Sequence, residues 1–406
     1  MKRPRLGFVS PVFLFPNDAG GKIRTTNILR GLKGGVFDVS LLSPTTQQQC
    51  KRWRAELDSV CDEFLSWHPA VTKPRWLRAL DLLGDLPVNV AVDRTRAGLD
   101  AVRQLARRSD IDLLVFDFVH SAVLVPPGLQ QASVCFTHNI EAEIFERHAK
   151  QAPDAMRRWL WSSQYRKMAR FESQVLTRFD KVIAVSERDA HQFGQRYGVQ
   201  GAEAIPTGVD LDFFSWELAP EVDVAHPPRV VFTGSMDWAA NIDGVQHFLK
   251  QVWPLVLRQC PAARFVVVGR NPPAALRAMS NAQVEFTGFV DDVRPHVRSA
   301  HAFVIPLLVG GGTRIKAFEA MAMGCPVVST AIGIEGLGAS ADQHYLLGDS
   351  AEAMAEAVVA LLSQPAQREA LSRRARGFVE AHFGHRRVAR VFEDICRHTL
   401  EGRTPP

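Results

Sequence analysis

The stretch Pro306-Leu307-Leu308-Val309-Gly310-Gly311-Gly312-Thr313-Arg314-Ile315-Lys316-Ala317-Phe318-Glu319-Ala320-Met321-Ala322-Met323-Gly324-Cys325-Pro326-Val327-Val328-Ser329-Thr330 decides how the chain is read. A strand ends in a glycine-rich turn, Thr313 offers an N-cap hydroxyl, a short helix follows, and Gly324-Cys325-Pro326 stops it before the next strand. Amides freed by the glycines converge with the helix N-terminus on one spot, where the helix dipole favours an anion such as a diphosphate. Arg314 and Lys316 add cations there. Lys316 and Glu319 lie three residues apart and share a helix face, so one suits a phosphate and the other the hydroxyls of a ribose. The same pair also reads as a surface salt bridge, and its place directly after a glycine-rich helix start favours the ligand.

Outward from this segment, short apolar runs alternate with longer helical patterns in both directions, the signature of βαβ units and parallel sheets. Strands are expected at 6–12, 36–42, 113–118, 134–137 and 181–185, then at 229–233, 264–268, 284–286, 302–306 and 326–329. Between the two sets, 216–229 carries Pro220, Pro227 and Pro228 and reads as a linker. The expected architecture is α/β, with two Rossmann-like, doubly wound domains. The first covers 1–215, with a last helix at 386–406 packing back on it, and the second covers 216–385. Ligands of open α/β sheets bind outside the carboxyl ends of the strands, so those ends, facing a central cleft, are the expected site.

The 406 residues suffice for two domains with their own cores, and 46% hydrophobic with 22% charged residues is ordinary for a globular chain. The net charge of +5 suits a phosphorylated ligand, nucleic acid or an anionic membrane equally well. Basic residues are spread out and no nucleic-acid module appears, so no nucleic-acid partner is expected. Cys50, Cys61, Cys135, Cys260, Cys325 and Cys396 are scattered without metal-ligand spacing, and they read as reduced thiols of a cytoplasmic protein that needs no metal and no cofactor. Pro11 and Pro16 interrupt the apolar start, which reads as a first strand rather than a signal peptide. Asp112, Asp117 and His120 break the richest apolar region, so no spanning helix is expected.

The segment Phe318-Glu319-Ala320-Met321-Ala322-Met323-Gly324-Cys325-Pro326-Val327-Val328 resembles the hallmark of glycosyltransferase family 4, in which two glutamates eight residues apart precede A-M-A-x-G-x-P-V-V. The resemblance implies the GT-B fold, transfer from a nucleotide sugar with retention of configuration, and a ribose contact for Glu319. The position of the first glutamate holds Gly311. The family's arginine and lysine at the start of the second domain are also missing. The chain there reads Phe232-Thr233-Gly234-Ser235-Met236-Asp237-Trp238-Ala239-Ala240-Asn241, leaving Arg314 and Lys316 to face the leaving diphosphate. The combination of G-S-M-x-W-x-x-N at 234–241 with G-G-G-T-R-I-K at 310–316 resembles sugar transferases of exopolysaccharide and exosortase (PEP-CTERM) systems, and Gly234, Ser235, Asn241, Gly311, Gly312 and Thr313 are expected to hold the donor. In the first domain Gly20-Gly21 resembles the family's glycine loop beside the reacting centre, and His138, in Thr137-His138-Asn139-Ile140-Glu141, resembles its acceptor-side histidine. The turns at Ala184-Val185-Ser186-Glu187 and Ile205-Pro206-Thr207-Gly208-Val209-Asp210 match it more loosely.

The expected partners are therefore a nucleotide-sugar donor and a saccharide or lipid-linked acceptor. Two other readings stay open: a nucleotide-sugar epimerase of the same architecture and a non-catalytic nucleotide-sugar-binding protein. The stretch 147–170 gathers Arg147, Lys150, Arg157, Arg158, Arg166, Lys167 and Arg170 with Trp159, Trp161 and Tyr165, which suits either solvent or peripheral attachment to an anionic membrane.

Overall fold

A computed structural model describes residues 3–17, 19–69, 82, 84–152, 154–216, 227–309 and 315–403. By its internal contacts the chain divides into two units, the first comprising Met1–Gly208 and His385–Pro406, the second Val209–Gly384.

The first unit is built on a wholly parallel sheet in the order β3-β2-β1-β4-β5-β6-β7. Its strands are β1 (Arg5–Val9), β2 (Asp38–Pro44), β3 (Glu63–Trp67), β4 (Leu113–Asp117), β5 (Ala132–Phe136), β6 (Lys181–Ala184) and β7 (Glu203–Ala204). β4 and β5 are buried throughout because helices cover both faces, which is why they read as unbroken apolar runs. Alternation decides which side each residue serves. Leu113 and Val115 join Ile28, Leu29 and Leu32 of the helix Gly20–Leu32 and Phe392 and Ile395 of the helix His385–Glu401. Leu114 and Phe116 instead pack on Val102 and Leu105. In the last helix Val388, Phe392, Ile395, Cys396 and Thr399 recur at helical spacing on the buried face. A Cβ on Gly31 would lie 2.2 Å from that of Ala389, so a glycine is needed where these two helices cross.

The second unit repeats the plan with β8 (Arg229–Thr233), β9 (Arg264–Val268), β10 (Val284–Gly288), β11 (Ala302–Ile305), β12 (Val327–Ser329) and β13 (Tyr345–Leu347) in the parallel order β10-β9-β8-β11-β12-β13. Strand direction of winding reverses between β1 and β4 in the first sheet and between β8 and β11 in the second, and these two switch points are where open α/β sheets bind ligands. No helix among the described residues is long and apolar enough to cross a membrane.

Candidate active site

At the switch point of the first unit, β4 ends on Asp117, a fully buried carboxylate. It accepts hydrogen bonds from Ser10 Oγ at 3.1 Å, Thr25 Oγ1 at 3.0 Å and His138 Nε2 at 2.7 Å. On the other side of the imidazole, Arg24 Nη1 lies 3.0 Å from His138 Nδ1. A guanidinium only donates, so Nδ1 accepts, and the proton of His138 resides on Nε2 facing Asp117. Arg24 completes its own contacts with Nε and Nη2 at 3.1 and 2.8 Å from Thr207 Oγ1. Burial pushes the Arg24 guanidinium down to about 10 although Asp117 and Asp189 oppose the shift. Burial likewise lowers His138, with the neighbouring Arg24 cation acting the same way and Asp117 against it. The histidine is thus a neutral ring of fixed tautomer, with both nitrogens engaged inside the protein.

Phe118 closes this cluster. Its φ of 63° lies in the left-handed region that a bulky residue adopts only under constraint, and it stacks on His138 at 4.0 Å between centroids. A Cβ on Gly21 would stand 2.7 Å from the Phe118 ring, so Gly21 admits the aromatic side chain to the start of its helix. His138 and Gly21 are therefore brought together around one ring, while Gly20 is exposed one residue earlier.

In the second unit Lys316 lies in the helix Ile315–Ala322 and reaches the end of β8. Its ammonium donates to Thr233 O at 2.8 Å and Asn241 Oδ1 at 3.1 Å, and it lies 4.1 Å from the centroid of the Phe232 ring. Asn241 Nδ2 donates to Ser235 O at 2.7 Å. A Cβ on Gly234 would stand 2.8 Å from Asn241 Nδ2 and 3.0 Å from Lys316 Nζ, so this glycine makes room for the lysine. Gly234, Asn241 and Lys316 thus form one cluster. Ser235 belongs to its rim, where its Oγ donates to Asp237 Oδ2 at 2.8 Å and Asp237 takes further bonds from Arg270 and Asn271. Glu319, half-buried one turn beyond Lys316, is pushed up to about 7 by burial, and the Lys316 charge pulls the other way. Gly311, Gly312, Thr313 and Arg314 lie outside the described residues.

Asp117, Ser10, Arg24, Thr25 and Arg270 are among the participants that escape the sequence reading. Asp117 did leave a signal, since a carboxylate closing a strand that is otherwise wholly apolar needs a buried partner.

Residues 20–213 match the model described as Glycosyltransferase Family 4, and residues 227–364 that described as Glycosyl transferases group 1. The phosphatidyl-myo-inositol mannosyltransferase of Mycobacterium leprae is 33% identical over 199 residues, which are 46% of this chain and 51% of that protein. The match thus spans about half the length of that relative. Among solved structures, sucrose-phosphate synthase from Thermosynechococcus elongatus superposes with a TM-score of 0.67 at 18% identity, covering 98% of this chain and 100% of the other. Anabaena HepE in complex with UDP and glucose gives a TM-score of 0.66 at 14% identity over 96% and 99% of the two chains. The fold is that of the GT-B glycosyltransferases.

Proposed function

We propose that this glycosyltransferase, with a Family 4 domain followed by a group 1 domain, moves a hexosyl group from a nucleotide-sugar donor to a saccharide or lipid-linked acceptor with retention of configuration. The observation that carries the reading is the cation of Lys316 fixed over the end of β8 at the switch point, with the half-buried carboxyl of Glu319 one turn away. Lys316 and Arg314 stabilise the departing diphosphate together with the amides of Gly311, Gly312 and Thr313. Each charge-assisted hydrogen bond contributes about 1.5 to 3 kcal/mol. Gly234, Ser235 and Asn241 shape the floor beneath the donor, and Glu319 accepts from its ribose. The first unit supplies the acceptor side, with Gly20 and Gly21 as the close-approach loop and His138 as a rigid polar wall. Gly311 offers no carboxylate as a nucleophile, which supports attack by the acceptor hydroxyl on the face from which the diphosphate leaves.

UDP and glucose in HepE support a uridine diphosphate sugar as first donor to try, and the mannosyltransferase similarity supports a lipid-linked acceptor. The motif pair in the second unit supports a place in exopolysaccharide or cell-surface glycan synthesis of the PEP-CTERM-associated type. In the helix Ala155–Leu176, Met156 is 78% and Trp159 64% exposed beside Arg157, Arg158 and Arg166, which supports cytoplasmic, peripheral attachment to an anionic membrane at about 1 kcal/mol per basic residue. Co-flotation with anionic but not neutral vesicles, weakened by reversing those three arginines, is the expected outcome. The central test is thermal stabilisation by UDP-glucose and other nucleotide sugars, where a ligand at 100 times its Kd stabilises by about 2.7 kcal/mol. NMR of the product bond then reads the anomeric configuration. An inverted product removes the retaining mechanism, and no stabilisation by any nucleotide sugar removes the donor.

A further inference from the structure

The first unit holds a cleft that the reading above leaves unused. A crossover between parallel strands usually lays an α-helix over the sheet, but the one from β4 to β5, residues 118–131, forms only the 3-10 turn Val119–Leu124 before it runs back to the start of β5. Beside this crossover, at the amino ends of β5 and β6, lies a cavity of about 200 Å³. Its apolar walls are Ala122, Val125, Pro126 and Leu129 of the crossover, Val175 in the last turn of the helix Ala155–Leu176, and Phe179 just beyond that helix. The Phe179 ring lies 5.7 Å from that of fully buried Phe116, so the cavity reaches down to the core.

The rim of the cavity is cationic. Arg403 Nε donates to Asp180 Oδ1 at 2.8 Å and its Nη1 to Gln130 O and Gln131 O at 2.7 Å, while its Nη2 has no partner among the described residues. Asp180 is already compensated on its other oxygen, where Oδ2 accepts from the amide and the hydroxyl of Ser133, each at 2.8 Å. Arg178 also lines the cavity; it is exposed, and its guanidinium has neither a hydrogen-bond nor an ion-pair partner among the described residues. An apolar recess with unused cationic donors at its rim is complementary to an anion that carries an apolar body.

We propose that this cleft binds a free amphiphilic anion, a short alkyl or aryl chain bearing a carboxylate, with the chain in the recess and the carboxylate on Arg178 and Arg403. A dry cavity of about 150 Å³ takes up benzene, so the volume here suits one ring or a short chain and excludes the paired acyl chains of a bilayer lipid. The site lies wholly within the first unit, away from the switch point at the carboxyl end of β4, and does not depend on the glycosyl-transfer reading.

Octanoate titrated into the full chain by calorimetry tests the site, with octanol and octylammonium as comparisons and carbon-13 methyl NMR to place the ligand. Octanoate is expected to bind saturably with a Kd below about 1 mM and to shift the methyls of Val125, Leu129 and Val175. Each methylene removed from it should weaken binding about fourfold. Octanol should bind more weakly and octylammonium more weakly still. Arg178→Gln should weaken octanoate about two- to fivefold, the scale of an exposed ion pair, and cut its advantage over octanol. Val125→Phe, at a half-buried position, fills the recess and should abolish binding. No saturable octanoate binding up to about 10 mM, equal affinity for octanol, or methyl shifts confined to other parts of the chain overturns the inference. Should Val125→Phe fail to fold, the methyl shifts and Arg178→Gln decide it: wild-type affinity in Arg178→Gln overturns the anion site, and a loss confined to octanoate supports it.

Discussion

The two switch points share a topology and differ in how their charges are compensated. In the first unit Asp117, His138, Arg24, Thr25 and Thr207 satisfy one another in a closed network. In the second, burial pushes Glu319 up to about 7 against the pull of the Lys316 cation, so the carboxyl is poised for donors that a ligand brings. A closed polar network fixes geometry and specifies one conformation, whereas an undercompensated carboxyl gains from a hydroxylated ligand. At its switch point the first unit is therefore built as scaffold and the second as receptor.

The sharpest way to break this contrast is Asp117→Asn, which keeps volume and removes the charge that faces buried Arg24. Removing one partner of a buried ion network costs about 3–5 kcal/mol, to be read as a shifted urea midpoint. A loss below about 1 kcal/mol would show that water already screens the cluster and that the first site is as open as the second. Next in size, Lys316→Ala should raise the barrier to donor cleavage by about 1.5–3 kcal/mol, or roughly ten- to 150-fold in kcat/KM, with little change in the urea midpoint. If the midpoint falls and kcat/KM does not, Lys316 serves only to hold Thr233 O and Asn241, and the second unit is scaffold too.

How much of this was legible depends on the kind of signal. β8 and β9 begin and end where the runs at 229–233 and 264–268 do, because their buried apolar interiors are unbroken and Arg229 and Arg264 mark where they start. β3, β7 and β13 went unread: they lie at or near sheet edges, are short or half-exposed, and Glu63 and Glu203 sit inside them. The cluster of Gly234, Asn241 and Lys316 was legible as parts, since a glycine turn and a helix cation are local features. The network of Asp117 with Arg24 and Thr207 was not. Arg24 and Thr207 are 183 residues apart, and Asp117 joins them only because the strand order places β1 beside β4. Thr207 itself is accounted for by the two guanidinium bonds it accepts.

The smallest expected effect tests the receptor half of the contrast at Glu319. Its carboxyl is raised to about 7 by burial, so the protonated form predominates below that pH and the ionised form above it. Hydroxyls of a bound ribose donate hydrogen bonds to the ionised form and lower the pKa, so donor binding near neutrality must release a proton. Affinity for UDP-glucose should therefore rise with pH up to about 7 and then level. Between pH 8 and pH 6 the Kd should weaken about tenfold, close to 1.4 kcal/mol, if the donor binds only the carboxylate. Calorimetry in buffers of different ionisation enthalpy measures the proton directly, with release near pH 6.5 and almost none at pH 8. Glu319→Gln, folded as the wild type, should bind more weakly at pH 8 and lose both the proton release and the pH dependence. Release that persists in Glu319→Gln would assign the proton to another group and leave Glu319 a carboxyl of the scaffold, erasing the contrast between the two switch points.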